Sequence, residues 1–134
     1  MAKPIRVAVV SPEREVYAGT AERVVAKGVA GDVGILADHA PMLVELAIHP
    51  VRVVVEEGRV DVILVDGGFL NVTPGEEETR VDVLAEHAEL ASEIDAAAAR
   101  ARAEKIRRRA DEAGDAETEA ELAKALMRAE HGGR

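Results

Sequence analysis

Asp38 and His39 are the nearest approach to a catalytic pair in this chain of 134 residues. A carboxylate beside an imidazole can orient a general base. Nothing else in the sequence completes such a site. The only serines are Ser11 and Ser92, and neither lies in a nucleophile motif. The four histidines, His39, His49, His87 and His131, are scattered without paired ligand spacing, so no metal site is expected. Cysteine is absent, which removes thiolate chemistry and fits a reducing compartment. Glu56-Glu57 and Glu76-Glu77-Glu78 fall at apparent turns, where solvated charge is the default. Gly31-Asp32-Val33-Gly34 is not a phosphate loop, because no lysine follows the glycines and no helix opens behind them. His39 therefore reads as an exposed loop residue or a partner contact, and no catalytic residue is expected.

The totals point the same way. A net charge of −9 argues against nonspecific binding to nucleic acid or to anionic membranes. No apolar run approaches the ~20 residues that span a bilayer. Met1-Ala2-Lys3-Pro4 leads straight into an alternating segment and lacks a signal-peptide core. Residues 1–88 carry 15 acids against 8 bases, and residues 89–134 carry 11 against 9. Within the second part, Arg100, Arg102, Lys105, Arg107, Arg108 and Arg109 form a basic block, interrupted only by the acid Glu104.

Residues 1–88 carry the elements of a β domain. Ile5, Val7 and Val9 alternate with Arg6 and Ala8, the period of a half-buried strand. Val16 to Ala18, Glu22 to Gly28, Met42 to Ile48, Val51 to Val55, Val60 to Val65, Phe69 to Val72 and Arg80 to Leu84 continue the series, with a short apolar run from Gly34 to Leu36. Val81 and Val83 share one face of the last of these. Pro50 punctuates between two of the runs, and Glu56-Glu57-Gly58-Arg59 reads as a hairpin turn. Asp66-Gly67-Gly68 suggests a bulge or a close backbone approach. Thr73-Pro74-Gly75 suits a type II turn. The expected fold is a β-sandwich or flattened barrel of about nine short strands.

From Glu89 the β-branched residues nearly vanish and alanine, glutamate and arginine take over. Ser92 with Asp95 resembles a capping box. One helix is expected to run to about Ala113, with Gly114 as its left-handed cap and Asp115 capping a second helix that ends near Glu130. The short connection makes the helices an antiparallel hairpin. Ile94, Ala98, Ala101 and Ile106 are the expected facing side of the first; Ala120, Ala123, Leu126 and Met127, with Leu122 at the edge, that of the second. Alanine contacts bury little, so two readings stand level: a movable arm, or an ordinary hairpin that stays in place.

Four stretches resemble the epsilon subunit of the bacterial F-type ATP synthase, in order and at fitting distances. They are Val9-Val10-Ser11-Pro12-Glu13, Gly31-Asp32-Val33-Gly34-Ile35-Leu36 with His39-Ala40-Pro41-Met42-Leu43, Val65-Asp66-Gly67-Gly68-Phe69-Leu70-Asn71-Val72, and Ala120-Glu121-Leu122-Ala123-Lys124-Ala125-Leu126. The resemblance implies a β-sandwich followed by a C-terminal two-helix hairpin, working as a non-catalytic subunit of the rotor's central stalk. It implies partners in the gamma subunit, the c-ring and the alpha and beta subunits, and a place at the cytoplasmic face of the bacterial cell membrane, peripheral and held through the complex. Asp32 matches the family's ring-facing position, and Ser11 and His39 match its gamma-facing positions. The hairpin in this family can extend into the catalytic head and restrain ATP hydrolysis, where the basic block would meet an acidic surface.

Some members bind ATP at the start of the first helix through Ile/Leu-Asp-x-x-Arg-Ala. Here Ile94 and Asp95 are kept but Ala98 stands where the arginine belongs, and an alanine supplies no cationic donors. Arg102, about one helical turn on, returns near the same face. Ile94, Asp95 and Arg102 are thus the residues of a degenerate nucleotide motif, and no cofactor is expected. Two other readings compete: a stand-alone nucleotide-sensing protein whose hairpin closes over its ligand, and an enzyme on a β scaffold, which the missing site chemistry disfavours.

Overall fold

The computed structural model describes residues 3–133; Met1, Ala2 and Arg134 lie outside them. The chain divides into two units, Met1–Leu90 and Ala91–Arg134.

The first unit is built from β1 (Ile5–Val10), β2 (Glu15–Ala21), β3 (Arg23–Gly28), β4 (Gly31–Ile35), β5 (Met42–Glu56), β6 (Arg59–Thr73), β7 (Thr79–Ala85) and β8 (Ala88–Leu90). They pair in the order β2-β1-β7-β6-β5-β3-β4, with β8 joined to β6. Only β1 and β7 run parallel. One sheet is therefore folded on itself around an aliphatic core that includes Ile5, Val7, Val24, Ile35, Val53, Ile63, Leu70 and Val83.

The strand count differs from the sequence reading for a definite reason. Two pairs of expected strands are each one element of 15 residues, β5 and β6. Their mutual register holds from Met42↔Val72 to Val54↔Val60, but the buried face switches along the way. Leu46, Leu70 and Val72 are buried at even positions, whereas Val51, Val53, Ile63 and Val65 are buried at odd ones. A strand that passes from one layer to the other changes the face it buries, and a period-2 reading breaks there. Pro50 pairs with Leu64 inside β5. It falls where β5 slips register against β3, between Val25 and Gly28, the kind of place that tolerates a residue without an N–H. β8 went unread because three residues carry too little period. Its pairing with Val65, Leu64 and Ile63 moves the boundary between units from 88 to Leu90.

Gly67 and Gly68 sit at φ 93° and 123°. A Cβ on Gly68 would collide with the Leu84 carbonyl and lie 2.8 Å from the Ala85 Cα. The reading of a close backbone approach therefore holds. Gly75, by contrast, is not among the residues of positive φ, so Thr73-Pro74-Gly75 does not form a type II turn.

The second unit opens with a short 3-10 turn, Ala91–Glu93, followed by α1 (Ala96–Ala113) and α2 (Ala116–His131). Asp95, rather than Ser92, caps α1: its carboxylate accepts from the Ala98 N–H at 3.1 Å. Gly114 closes α1 at φ 64°. Asp115 caps α2 by accepting from the Thr118 N–H and hydroxyl, and these bonds hold its carboxyl below the usual carboxylate range. The seam is Ala103, Ile106 and Ala110 on α1, with Ala125 and the half-buried Leu122, Leu126 and Ala129 on α2. Ala98, Ala101, Ala120 and Ala123 face solvent instead. In an alanine-rich helix the 3.6 period has several equivalent phases, and only Ile106 fixes which one is buried. Ile94 lies before the helix and packs on Gly132, where an added Cβ would stand 2.6 Å from Ile94 Cγ2.

Gly68→Ala is expected to lower stability by about 3 kcal/mol, combining overpacking with an unfavourable φ; urea unfolding measures it. Tyr17 on β2 donates to Asp61 on β6 at 2.7 Å. Burial first, then the hydrogen bond and charge of Asp61, push this phenol up from 10 to about 12. The folded value lies above the unfolded one, so the stabilisation is complete below pH ~10 and is lost as pH rises towards 12. Tyr17→Phe should cost about 1–2 kcal/mol at neutral pH and flatten that alkaline loss, read from unfolding midpoints across a pH series.

Candidate functional site

β1 separates two of the sequence-derived contact residues. Ser11 follows its C-terminal end and is itself buried, its N–H donating to the Arg14 carbonyl at 2.9 Å. It closes the turn into β2. His39 belongs to the turn between β4 and β5, near the other end of β1. There the Asp38 N–H donates to Thr79, the cross-strand partner of Ile5. Six residues of strand put ~20 Å between these ends. Ser11 and His39 therefore lie near opposite ends of β1 and do not share one pocket.

The Asp38–His39 pair has no acid–base geometry. Asp38, at φ 65°, gives its carboxylate to the Lys3 ammonium at 2.7 Å. The His39 ring places Nδ1 2.8 Å from the Ala40 carbonyl. Among the described residues no group of three or more His, Cys, Asp or Glu side chains is arranged to hold a metal.

Beside Ser11 lies a feature that the sequence reading missed. Phe69 and Leu84 face each other across β6 and β7 and stand 47% and 60% exposed. With Val10, Pro12 and Ala85 they line a hollow of about 400 Å³. The only phenylalanine of the chain is thus spent outside an otherwise aliphatic core. The signal was present: with Val81 and Val83 inward, Leu84 had to face out. Leu43 and Val29, 67% and 63% exposed, line a second hollow of about 360 Å³ together with Asp32. An exposed apolar residue is unremarkable singly, but apolar side chains grouped beside a hollow are candidates for contact with a partner.

Asp32 is exposed on β4 opposite Lys27 of β3, so it lies in a strand and not on an irregular turn. The tight turn is Val29-Ala30, just before it.

All six residues of the basic block are exposed on α1. Arg102 and Arg109 both approach Glu121, at 3.7 and 3.5 Å. Arg100, Lys105, Arg107 and Arg108 make no ion pair among the described residues. Of the nucleotide motif, Asp95 is engaged as the α1 cap, Ala98 is the residue it caps, and Arg102 is turned to Glu121.

The architecture is thus a folded-over β-sheet with apolar hollows on its surface, followed by a two-helix hairpin. Residues 4–91 match the family model of the ATP synthase delta/epsilon chain β-sandwich domain. The chain is 44% identical over 131 residues to the ATP synthase epsilon chain of Thermobifida fusca, covering 96% of this chain and 91% of that one. It is 44% identical over 122 residues to the epsilon chain of Chromohalobacter salexigens, covering 88% and 84%, and 45% identical over 102 residues to that of Brevibacillus brevis, covering 74% of each. Its fold is similar to a chain in the cryo-EM structure of the Euglena gracilis mitochondrial ATP synthase, with a TM-score of 0.74 over 96% of this chain and 80% of that one at 20% identity. This chain belongs to the ATP synthase epsilon-chain family.

Proposed function

We propose that this chain is a central-stalk subunit of a proton-translocating F-type ATP synthase, with no catalytic site of its own. The observation that carries the reading is the match to epsilon chains through both units, since the Thermobifida similarity runs over 131 residues. The Euglena assembly is described as containing F1 and c-ring, which supports the same setting. The sandwich docks the gamma subunit along the surface that starts at Ser11, Phe69 and Leu84 and ends near His39. Asp32, beside the exposed Val29 and Leu43, faces the c-ring. The chain sits at the cytoplasmic face of the cell membrane and is held there by these partners; no helix of the described residues is long and apolar enough to cross a membrane.

The hairpin restrains ATP hydrolysis by presenting its unpaired cations to an acidic surface of the alpha and beta subunits. Two sequence features support an arm that works without bound ATP. Asp95 is engaged in capping, and Ala98 offers no cationic donor.

Asp32→Lys should weaken the ring contact about tenfold or more, through like-charge or unpaired-charge cost. ATP-driven proton pumping by membranes carrying the variant should fall while hydrolysis by the detached head is unchanged; normal pumping would refute the ring assignment. Replacing Lys105, Arg107 and Arg108 by alanine removes three of the four unpaired charges and spares Arg109, which pairs with Glu121. With about 0.2–1 kcal/mol from each exposed charge, hydrolysis by the assembled complex should rise several-fold, and added salt should change it less than in the unmodified complex. Equal rates across a salt series would leave the block a solvated helix face.

A further inference from the structure

The hairpin is sealed unevenly along its length. Its two helices are joined covalently at Gly114 and Asp115, and the larger seam residues, Ile106, Leu122 and Leu126, lie along the body of the pair. The ion pairs of Arg102 and Arg109 both end on Glu121, in the half of α2 nearer that connection. Towards the start of α1 only Ala96, Ala99 and Ala103 are withdrawn from solvent. The helices are thus most thinly packed at the end farthest from their connection, which is where an antiparallel pair frays first.

That end carries its own closure. Ile94 is the one large apolar side chain between Ala91 and Lys105, and it packs on the buried Gly132. A Cβ at Gly132 would stand 2.6 Å from Ile94 Cγ2 and 2.5 Å from the Arg128 carbonyl oxygen, so any other residue displaces Ile94 or the last turn of α2. The chain then passes through Gly133 at φ 79°, a left-handed conformation that glycine adopts without penalty. This aims the Gly133 N–H at the Ala91 carbonyl, 2.6 Å away. The same carbonyl accepts from the Ile94 N–H at 3.2 Å, and Ala91 is buried. Releasing Gly133 costs the packing of Ile94 and one hydrogen bond at a buried acceptor. The connection at the other end has no such ties: Gly114 is exposed, and a Cβ there would meet nothing within 4 Å.

We propose that Gly132 and Gly133, closing on Ile94 and Ala91, form a latch that sets the balance between a closed hairpin and one in which α2 has swung away from α1 about Gly114. Its closing contacts are gathered in two consecutive residues, so one substitution shifts a two-state balance by a large factor. The consequence for the assembled complex rests on the reading of the hairpin as a restraint on hydrolysis; the latch itself is a property of this chain.

The test uses the full-length chain. It contains no cysteine, so Ala97→Cys with Glu130→Cys, both at exposed positions, places one pair of spin labels at the latched end. With the latch intact, a single short distance is expected, and the Gly133 amide should exchange with solvent about tenfold or more slower than a free peptide amide. Gly132→Val and, separately, Gly133→Ala should each add a population at longer distance, shifting the balance about tenfold or more, and remove protection of the amide at position 133. Helical circular dichroism should stay unchanged. Should Gly132→Val lose helicity, Ile94→Ala reads the same latch, because it deletes the contact and leaves the backbone unstrained. An unprotected Gly133 amide with the latch residues unmodified, or an unaltered distance distribution in the variants, overturns the latch. In the assembled complex an opened hairpin should lower hydrolysis several-fold. Unchanged hydrolysis with the hairpin shown open refutes the restraint reading and leaves the latch standing.

Discussion

The structure of the first unit depends on one place where two backbones meet with no side chain between them. At Gly68 the β6 main chain passes so close to Leu84 and Ala85 of β7 that a methyl group has no room. That contact lies where β6 crosses between layers while keeping its register with β5, from Leu46↔Gly68 to Ile48↔Asp66. The alternative, two short strands joined by a loop, would leave backbone groups near the core in need of partners. The ladders on either side of the crossing and the Glu86 N–H donated to the Gly67 carbonyl satisfy them, and the positive φ of Gly67 and Gly68 absorbs the bend. The same crossing has a consequence for the surface. Because burial changes parity at the bend, Leu70 turns inward and Phe69 is left outside, across from Leu84. The apolar hollow beside Ser11 follows from the fold's own geometry.

This explains how much of the molecule could be read from its sequence. Alternation in Ile5-Arg6-Val7-Ala8-Val9, the glycine pair and the change of composition at Glu89 gave the sandwich, the close approach and the hairpin. Each of these signals is local. What the sequence did not reveal depends on relations between distant segments. The union of two runs into β5 needs β6 alongside to carry the register past Pro50. β8 exists because Val65, Leu64 and Ile63 offer it an edge. The phase of α1 is settled by what Ile106 meets on α2, since its alanines would serve almost any face equally. The distance between Ser11 and His39 needs β1 to be seen as a strut between them.

The helices of the hairpin are specified differently from the strands. Their ends are fixed by side chains with one task each: Asp95 and Asp115 accept from the first turns, and Gly114 ends α1 in the left-handed conformation. Their mutual packing rests on few large groups, chiefly Ile106 with Leu122 and Leu126. Gly132 adds a second closure by allowing Ile94 to pack against the end of α2, while the Gly133 N–H donates to the Ala91 carbonyl at 2.6 Å. A hairpin of this kind is stiff along each helix and thinly sealed between them. Such an element can present charge at a distance while giving up little buried surface if the helices part.

Charge placement separates the surfaces by the partners they suit. The apolar hollows at Phe69–Leu84 and at Val29–Leu43 gain from exclusion of water, which scales with area and is not screened by salt. The cations of α1 act through a field that salt screens. A subunit in a rotating assembly needs contacts that hold through each step and others that can be made and released. Apolar contact on a rigid sandwich serves the first need. Exposed, unpaired charge on a helix serves the second, because an attraction worth about 0.2–1 kcal/mol per pair is reversible by a modest change in distance or ionic strength. That division separates a rigid apolar surface on the sandwich from a solvated cationic one on the hairpin. It also accounts for why the large aliphatic side chains are concentrated in one unit and the consecutive arginines in the other.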